Sequence, residues 1–192
     1  MMKFKFLGCI FLLTLAAQAQ LKQEQEFRVD REQLPNEVLP LLEPYLMGAK
    51  RIRYYQEIDG DKASFEVKFK KGRLLYSVEF AETGNLQDVE FIIKPKDIPE
   101  DSFNRILAYL STTYEYHRIK KIQQQYLNRD NPKETLYEAF QNLLMPHLNY
   151  ECIVATKENG NYTTYEITFD ASGTFMAARK VVNPNYDHVL YN

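Results

Sequence analysis

The residues here that could do chemistry are three histidines, two cysteines and a scatter of carboxylates, and their spacing gathers few of them together. His117 falls in an expected strand, His147 at a helix end and His188 in the tail, so a histidine metal site would need three remote elements to converge. Cys152 and His147 come nearest to a nucleophile and its base. No third group orients them, and Cys152 alternates with Leu148, Tyr150 and Val154 as a buried small hydrophobe does. Asp59-Gly60-Asp61 resembles the start of a calcium loop, but no further ligands follow at the required spacing, and a hairpin turn explains it better. There is no glycine-rich phosphate loop, HExxH, GxSxG or CxxC. Asn161-Tyr162-Thr163 matches a glycosylation sequon, which matters only in a eukaryotic secretory pathway. This chemistry points to no catalytic residues, no metal and no cofactor.

Aromatic content is the unusual resource: 14 Tyr and 12 Phe with no Trp. Phe65, Phe69, Phe80 and Phe169 fall on expected inward faces and read as core. The tyrosines are less regular. Tyr54 and Tyr55 are adjacent, so in a strand one must point away from the helices. Tyr114, Tyr116 and Tyr126 share one strand parity, and Tyr162 shares the outer parity of Thr164, Glu166 and Thr168. Tyrosines exposed on an open sheet face make a rigid amphipathic contact surface, so these six are the candidate binding residues.

The elements that must carry them begin after an export signal. Lys3 and Lys5 precede an apolar run from Leu7 to Ala17, and Ala17-Gln18-Ala19 offers a small-x-small cleavage site. Residues 1–19 are therefore expected to be a signal peptide cleaved after Ala19, giving a periplasmic or secreted protein. Lipidation at Cys9 is the weaker reading, since that cysteine lies within the apolar run. Losing Lys3 and Lys5 takes the formal net charge from −2 to −4, which disfavours nucleic acid or an anionic membrane as partner. No later stretch is apolar enough to insert in a membrane. Only Cys152 survives processing, so packing rather than a disulfide must supply stability.

The mature chain repeats itself. Residues 76–93 align without a gap on 165–182, matching Tyr76 with Tyr165, Phe80 with Phe169 and Gly84 with Gly173. Upstream, 34–46 resembles 98–110. This indicates an α+β fold of two tandem helix-plus-antiparallel-sheet units, 20–95 and 96–192. The first has a loose leader over 20–33, with one edge strand near Phe27–Val29, and a helix from Leu34 with Pro35 in its first turn. In the strand over 62–70, Ala63, Phe65, Val67 and Phe69 share one face, and Ser64, Glu66, Lys68 and Lys70 the other, which should meet water. The second unit adds a helix over 131–145, capped by Asn131 with Glu134 completing a capping box, and its apolar stripe runs from Leu136 to Leu144. The tail after Pro184 reads as irregular.

The Leu-Pro or Ile-Pro helix starts, followed by hairpins ending Tyr-x-[Val/Ile]-x-Phe-x-x-x-Gly-x-[Leu/Phe], resemble the secreted PepSY-like, β-lactamase-inhibitor-like (BLIP-like) proteins of Bacteroidota. The resemblance spans both units and implies an exported protein. β-Lactamase inhibitor protein binds its target across a concave, aromatic-lined sheet face, and PepSY domains in protease propeptides are associated with inhibition. The function expected is a non-catalytic module that binds an unidentified periplasmic or extracellular protein, with inhibition of an envelope enzyme as one form. The alternative is a carrier of a small apolar ligand or peptide, held between helix and sheet or between the units.

Overall fold

The computed structural model describes residues 20–158 and 160–182. The expected signal peptide and the tail after Pro184 lie outside them. Ten strands form one continuous sheet, not two small ones, in the spatial order β1-β10-β9-β8-β7-β6-β5-β4-β3-β2. They are β1 (Gln20–Lys22), β2 (Glu24–Val29), β3 (Lys50–Asp59), β4 (Lys62–Lys71), β5 (Leu74–Ala81), β6 (Leu86–Ile92), β7 (Tyr116–Leu127), β8 (Asn149–Glu158), β9 (Asn161–Asp170) and β10 (Phe175–Val181). Every pairing is antiparallel except β1 on β10. The halves join where β6 pairs β7.

The leader is not loose. One segment with a single intervening residue, Gln23, supplies β1 to one edge of the sheet and β2 to the other. The sheet therefore closes on itself. Curling is aided by register shifts in four ladders, with Gln87, Lys120 and Met176 as the extra residues in β6, β7 and β10 and Arg51, at φ +58°, marking the shift in β3. Each bulge locally increases the twist of its strand.

Three helices cover the outer face: α1 (Val38–Leu46), α2 (Glu100–Thr113) and α3 (Pro132–Phe140). The apolar core lies beneath them. Val38 and Leu42 of α1, Ile106 and Leu110 of α2, and Leu136 and Ala139 of α3 are all 0 % exposed, as are Val67, Phe69, Phe80 and Phe169 of the strands. Such burial is worth about 1.5–3 kcal/mol per large side chain. Phe140 stacks on Tyr45 of α1 at 4.4 Å and on Tyr76 of β5 at 4.7 Å, so α3 packs over strands of the first half.

Helix boundaries differ from the sequence reading at two places. Helix α1 starts at Val38, four residues late, because Pro35 belongs to the preceding turn, where its carbonyl accepts from Val38 N–H at 3.1 Å. Helix α3 stops at Phe140: Asn142 adopts φ +52° and Leu143 N–H donates to the Glu138 carbonyl at 3.0 Å, the bonding of a left-handed C-terminal stop. Leu143 and Leu144 are consequently exposed rather than part of the stripe. At the other end Asn131 Oδ1 caps α3, accepting from Lys133 N–H at 3.2 Å and Glu134 N–H at 3.4 Å, so Glu134 takes part through its backbone.

Gly84 and Gly173 occupy like positions. Each ends a hairpin with positive φ against a helix start, Gly84 beside Pro35 and Glu37, Gly173 beside the Ser102 carbonyl.

Candidate functional site

Strand alternation places one set of side chains under the helices and the other inside the closed sheet. The inner set is overwhelmingly charged. It lines a cavity of about 340 Å³ with ten acidic and five basic side chains. The face that alternation in β4 assigned to water is thus turned inward: Ser64, Glu66 and Lys68 are buried, and Lys70 is half-buried. Parity was right, but the environment was not, since a single strand carries no information about the curl of a ten-stranded sheet.

One part of this interior is neutralised from within. Lys68 Nζ lies 2.6 Å from Glu26 Oε1, 2.6 Å from Glu66 Oε2 and 3.8 Å from Glu57 Oε1. Oxygens of these three carboxylates lie within 4.8 Å of one another, a spacing that could hold a metal ion, but the lysine ammonium already supplies the cation. Burial opposes charge on Lys68, and the carboxylates, Glu66 foremost, outweigh it and hold its pKa above the usual range. Burial, then the Glu66 charge and hydrogen bond, push Glu57 well up. The hydrogen bond between the two carboxyls raises Glu57 and lowers Glu66, and burial of Glu66 is overcome by Lys68 and its hydrogen bonds, so its carboxyl stays below the ordinary value. Tyr55 joins the group with the Lys68 ammonium 5.3 Å from its ring centroid.

In a second part Lys121 and Lys22 act on Glu90 and Glu151 without outweighing the burial of those carboxyls. Gln125 Nε2 donates to Asp88 at 3.0 Å and to Glu90 at 2.9 Å, and the Gln123 amide also donates to Glu90. Burial and then neighbouring carboxylates push Asp88, Glu90 and Glu151 well above their ordinary values, and burial raises Glu79. Ionisation is thus held off to higher pH here, since gathered carboxylates in a low dielectric resist ionising together.

A third part is the seam between the edges of the sheet. Arg179 of β10 donates to Asp59 at the end of β3, and also lies 3.9 Å from Glu166. Lys22 of β1 pairs with Glu166 and, at 3.0 Å, with Glu24. Asp59 Oδ1 accepts from Gln23 N–H at 3.0 Å.

The six candidate tyrosines separate into three environments. Tyr54 and Tyr114 are half-buried against the core, Tyr114 with its ring 5.7 Å from Tyr165. Tyr126 is buried in the core, donating to the Leu143 carbonyl at 2.7 Å. Tyr55 is the inward member of its pair but is buried under Lys68. Only Tyr116, 45 % exposed, and Tyr162, 74 % exposed, present their rings to solvent, edge to face at 6.3 Å. The bulge at Lys120 explains the split within β7: it reverses alternation, so Tyr116 takes the inner parity and Tyr126 the core. Tyr116 and Tyr162 both register with Lys157 of β8 and stand at the rim of the inner face.

The remaining reactive residues sit apart from this face. Cys152 is buried in the core and its thiol is pushed up to about 12, chiefly by burial. His147 Nε2 lies 2.9 Å from Glu138 and 3.2 Å from Arg129, not beside Cys152. Gly60, at φ +63°, turns the β3–β4 hairpin. Sequence reasoning passed over Glu57, Asp88, Glu90 and Glu151. The available signal was that acidic residues recur at one parity in consecutive strands, where a solvent face would mix in more Lys, Thr and Ser.

A helix-backed antiparallel sheet with a concave polar face has close counterparts among solved structures. A BLIP-like protein of Bacteroides fragilis superposes with a TM-score of 0.50 at 12% identity, over 81% of this chain and 92% of its own. The fold is BLIP-like. A DUF2874 family protein of Bacteroides ovatus shares it at a TM-score of 0.53 and 11% identity, over 80% of this chain and 92% of that one. So does a candidate periplasmic protein of Bacteroides eggerthii, at 0.51 and 12%, over 77% and 88%. No family model and no curated protein matches the chain by sequence. At these identities the BLIP-like likeness establishes the fold, in agreement with the resemblance read from the hairpin motifs. Among the described residues no helix is long and apolar enough to cross a membrane.

Proposed function

We propose that this chain is an exported, non-catalytic binding protein of the cell envelope whose inner sheet face receives a cationic group of a protein partner. The Tyr116–Tyr162 pair forms the aromatic contact at the rim. One observation carries this reading: ten acidic side chains line the inner face against five basic ones, and four of the carboxyls are held well above their ordinary pKa. Folding alone would be served better by apolar or neutral groups, because burying a carboxyl costs free energy that its neighbours here return only in part. A guest cation would return it.

Export is supported by the Lys3 to Ala19 signal pattern. The two-unit organisation, 20–95 and 96–192, is supported by the like seating of Gly84 and Gly173. Inhibition of an envelope enzyme is the form of binding that the BLIP-like fold suggests by analogy alone. A carrier role is the second reading. The space between helices and sheet is filled by core, whereas the 340 Å³ cavity is polar, so a carried ligand would be a small cation rather than an apolar molecule.

The test is affinity capture from envelope fractions with the chain from Gln20 onward, comparing wild type with Tyr116→Ala/Tyr162→Ala. A protein retained by wild type and lost from the double variant supports the partner reading. Identical retention by both would remove the rim tyrosines from the site.

A further inference from the structure

The inner face changes sign along its strands. Strands β2 to β9 pair antiparallel throughout, so the ends of β2, β4 and β8 and the starts of β3, β7 and β9 meet at one mouth of the ring. Toward that mouth the inner positions pass from Glu26 to Arg28 on β2 and from Glu57 to Arg53 on β3. On β4 they pass from Glu66 to Lys68 and Lys70, and on β8 from Glu151 to Lys157. Strand β7 adds Arg118, two residues from Tyr116. Two residues of strand are about 7 Å, so a basic belt stands one step outside the acidic one. Tyr116 and Tyr162 share this end of the ring, flanking Lys157.

The fold does not neutralise the outer belt. Arg28 and Arg118 are exposed, and Lys70 and Lys157 are half-buried. These four take part in no ion pair among the described residues, whereas Lys68, one step inward, is held by three glutamates. The register also sets Lys50 opposite Lys70 and Arg53 opposite Lys68. Like charges directly opposed across a ladder are destabilising, so folding alone does not account for two such pairs in succession. A carboxylate arriving from outside would relieve them.

We infer that this mouth is a docking surface for an acidic segment of the protein partner, whose carboxylates pair with Arg28, Lys70, Arg118 and Lys157 while the Tyr116–Tyr162 pair packs against it. This rests on the inner face being the surface that meets a protein, and it names that partner's chemistry: carboxylates surrounding a cationic group. Charge complementarity favours such a segment, because it matches both belts at once. A uniform polyanion would pair with the outer belt and be repelled by Glu26 and Glu66 just inside it. Exposed tyrosines at the centre of the contact also suit a protein interface.

The probe is a capped, fluorescent hexaglutamate peptide, its binding read by anisotropy at about 0.01 M ionic strength, where exposed charges are least screened. Arg28→Glu/Lys157→Glu is compared with Arg129→Glu/Lys133→Glu, an equal change in net charge placed beside α3, where β7 ends rather than begins. The docking surface predicts that the mouth variant binds about tenfold more weakly or worse, while the α3 variant stays within about twofold of wild type. Arg28→Gln/Lys157→Gln adds no repulsion and should fall between wild type and the reversed variant, which keeps the comparison valid if reversal disturbs the sheet. Equal losses at the mouth and at α3 would reduce the effect to net charge and overturn the inference. So would failure of wild type to bind hexaglutamate, and heparin binding in its absence would put a sulfated polysaccharide in the partner's place. None of these results bears on the inner carboxylates, whose role is tested separately through Glu90→Gln/Glu151→Gln.

Discussion

Arg179 and Asp59 lie 120 residues apart in sequence and on strands next to opposite edges of a ten-stranded sheet, yet their side chains are ion-paired. That contact requires the sheet to curl until its polar face is the inner one. The helices and the apolar core therefore lie outside the ring, and the charges lie within it.

The core should behave as a core and the rim should not. Phe80→Ala and Phe169→Ala remove side chains that are 0 % exposed and should each cost about 3–5 kcal/mol in urea denaturation. Tyr116→Ala and Tyr162→Ala should each change stability by about 0.5 kcal/mol or less. A large loss at the rim would mean those rings support the fold.

Gly173 should tolerate substitution worse than a glycine in an open turn. It has φ +84°, and an added Cβ would lie 2.1 Å from the Ser102 carbonyl oxygen, whereas Gly72 has φ +57° with nothing within 4 Å. Both alanines pay about 1 kcal/mol or more for the left-handed backbone, and Gly173→Ala must also displace α2. Urea midpoints should rank Gly173→Ala well below Gly72→Ala, and a similar midpoint for the two would contradict the close seating of this hairpin on α2.

Lys68 is the internal counterion of the first carboxylate group. Lys68→Met leaves Glu66 buried and uncompensated and should destabilise the chain by about 3–5 kcal/mol. Adding Glu66→Gln to that variant should recover much of the loss, which a double-mutant cycle would measure.

Stability should fall as the solution becomes alkaline. Glu57, Asp88, Glu90 and Glu151 have folded pKa values raised well above those of the unfolded chain. Between the unfolded and folded values the native state binds more protons, so this contribution is present at low pH and is lost as pH rises through that window. Asp59 and Glu66 act oppositely, adding stability above their unfolded values and losing it in acid. The four raised groups outnumber these two, and the thermal midpoint should decline as pH rises above the ordinary carboxylate range. Glu90→Gln/Glu151→Gln should flatten that decline and raise the midpoint at the upper end. A midpoint that rises with pH across this range would refute the assignment.

Much of the outer architecture was legible in the sequence. Period-two alternation in β4, the Asp59-Gly60 turn and the Asn131 cap each follow from local chemistry, and the structure keeps them. What was not legible depends on the whole sheet. A bulge at Lys120 sends Tyr116 and Tyr126 to opposite faces, and nothing in their spacing announces it. The leader 20–33 is polar because Lys22, Glu24 and Glu26 face a charged interior, and composition alone makes such a segment look loose. Likewise Glu66 and Lys68 read as solvent-facing until the ring closes over them.

The central claim is that the inner carboxylates are kept for binding rather than for folding. Affinity capture from envelope fractions with Glu90→Gln/Glu151→Gln, set beside wild type, tests it most directly. The account predicts that the partner retained by wild type is lost from this variant even though the variant is the more stable protein near neutral pH. Undiminished capture by the variant would contradict the claim and move the binding surface off the inner face.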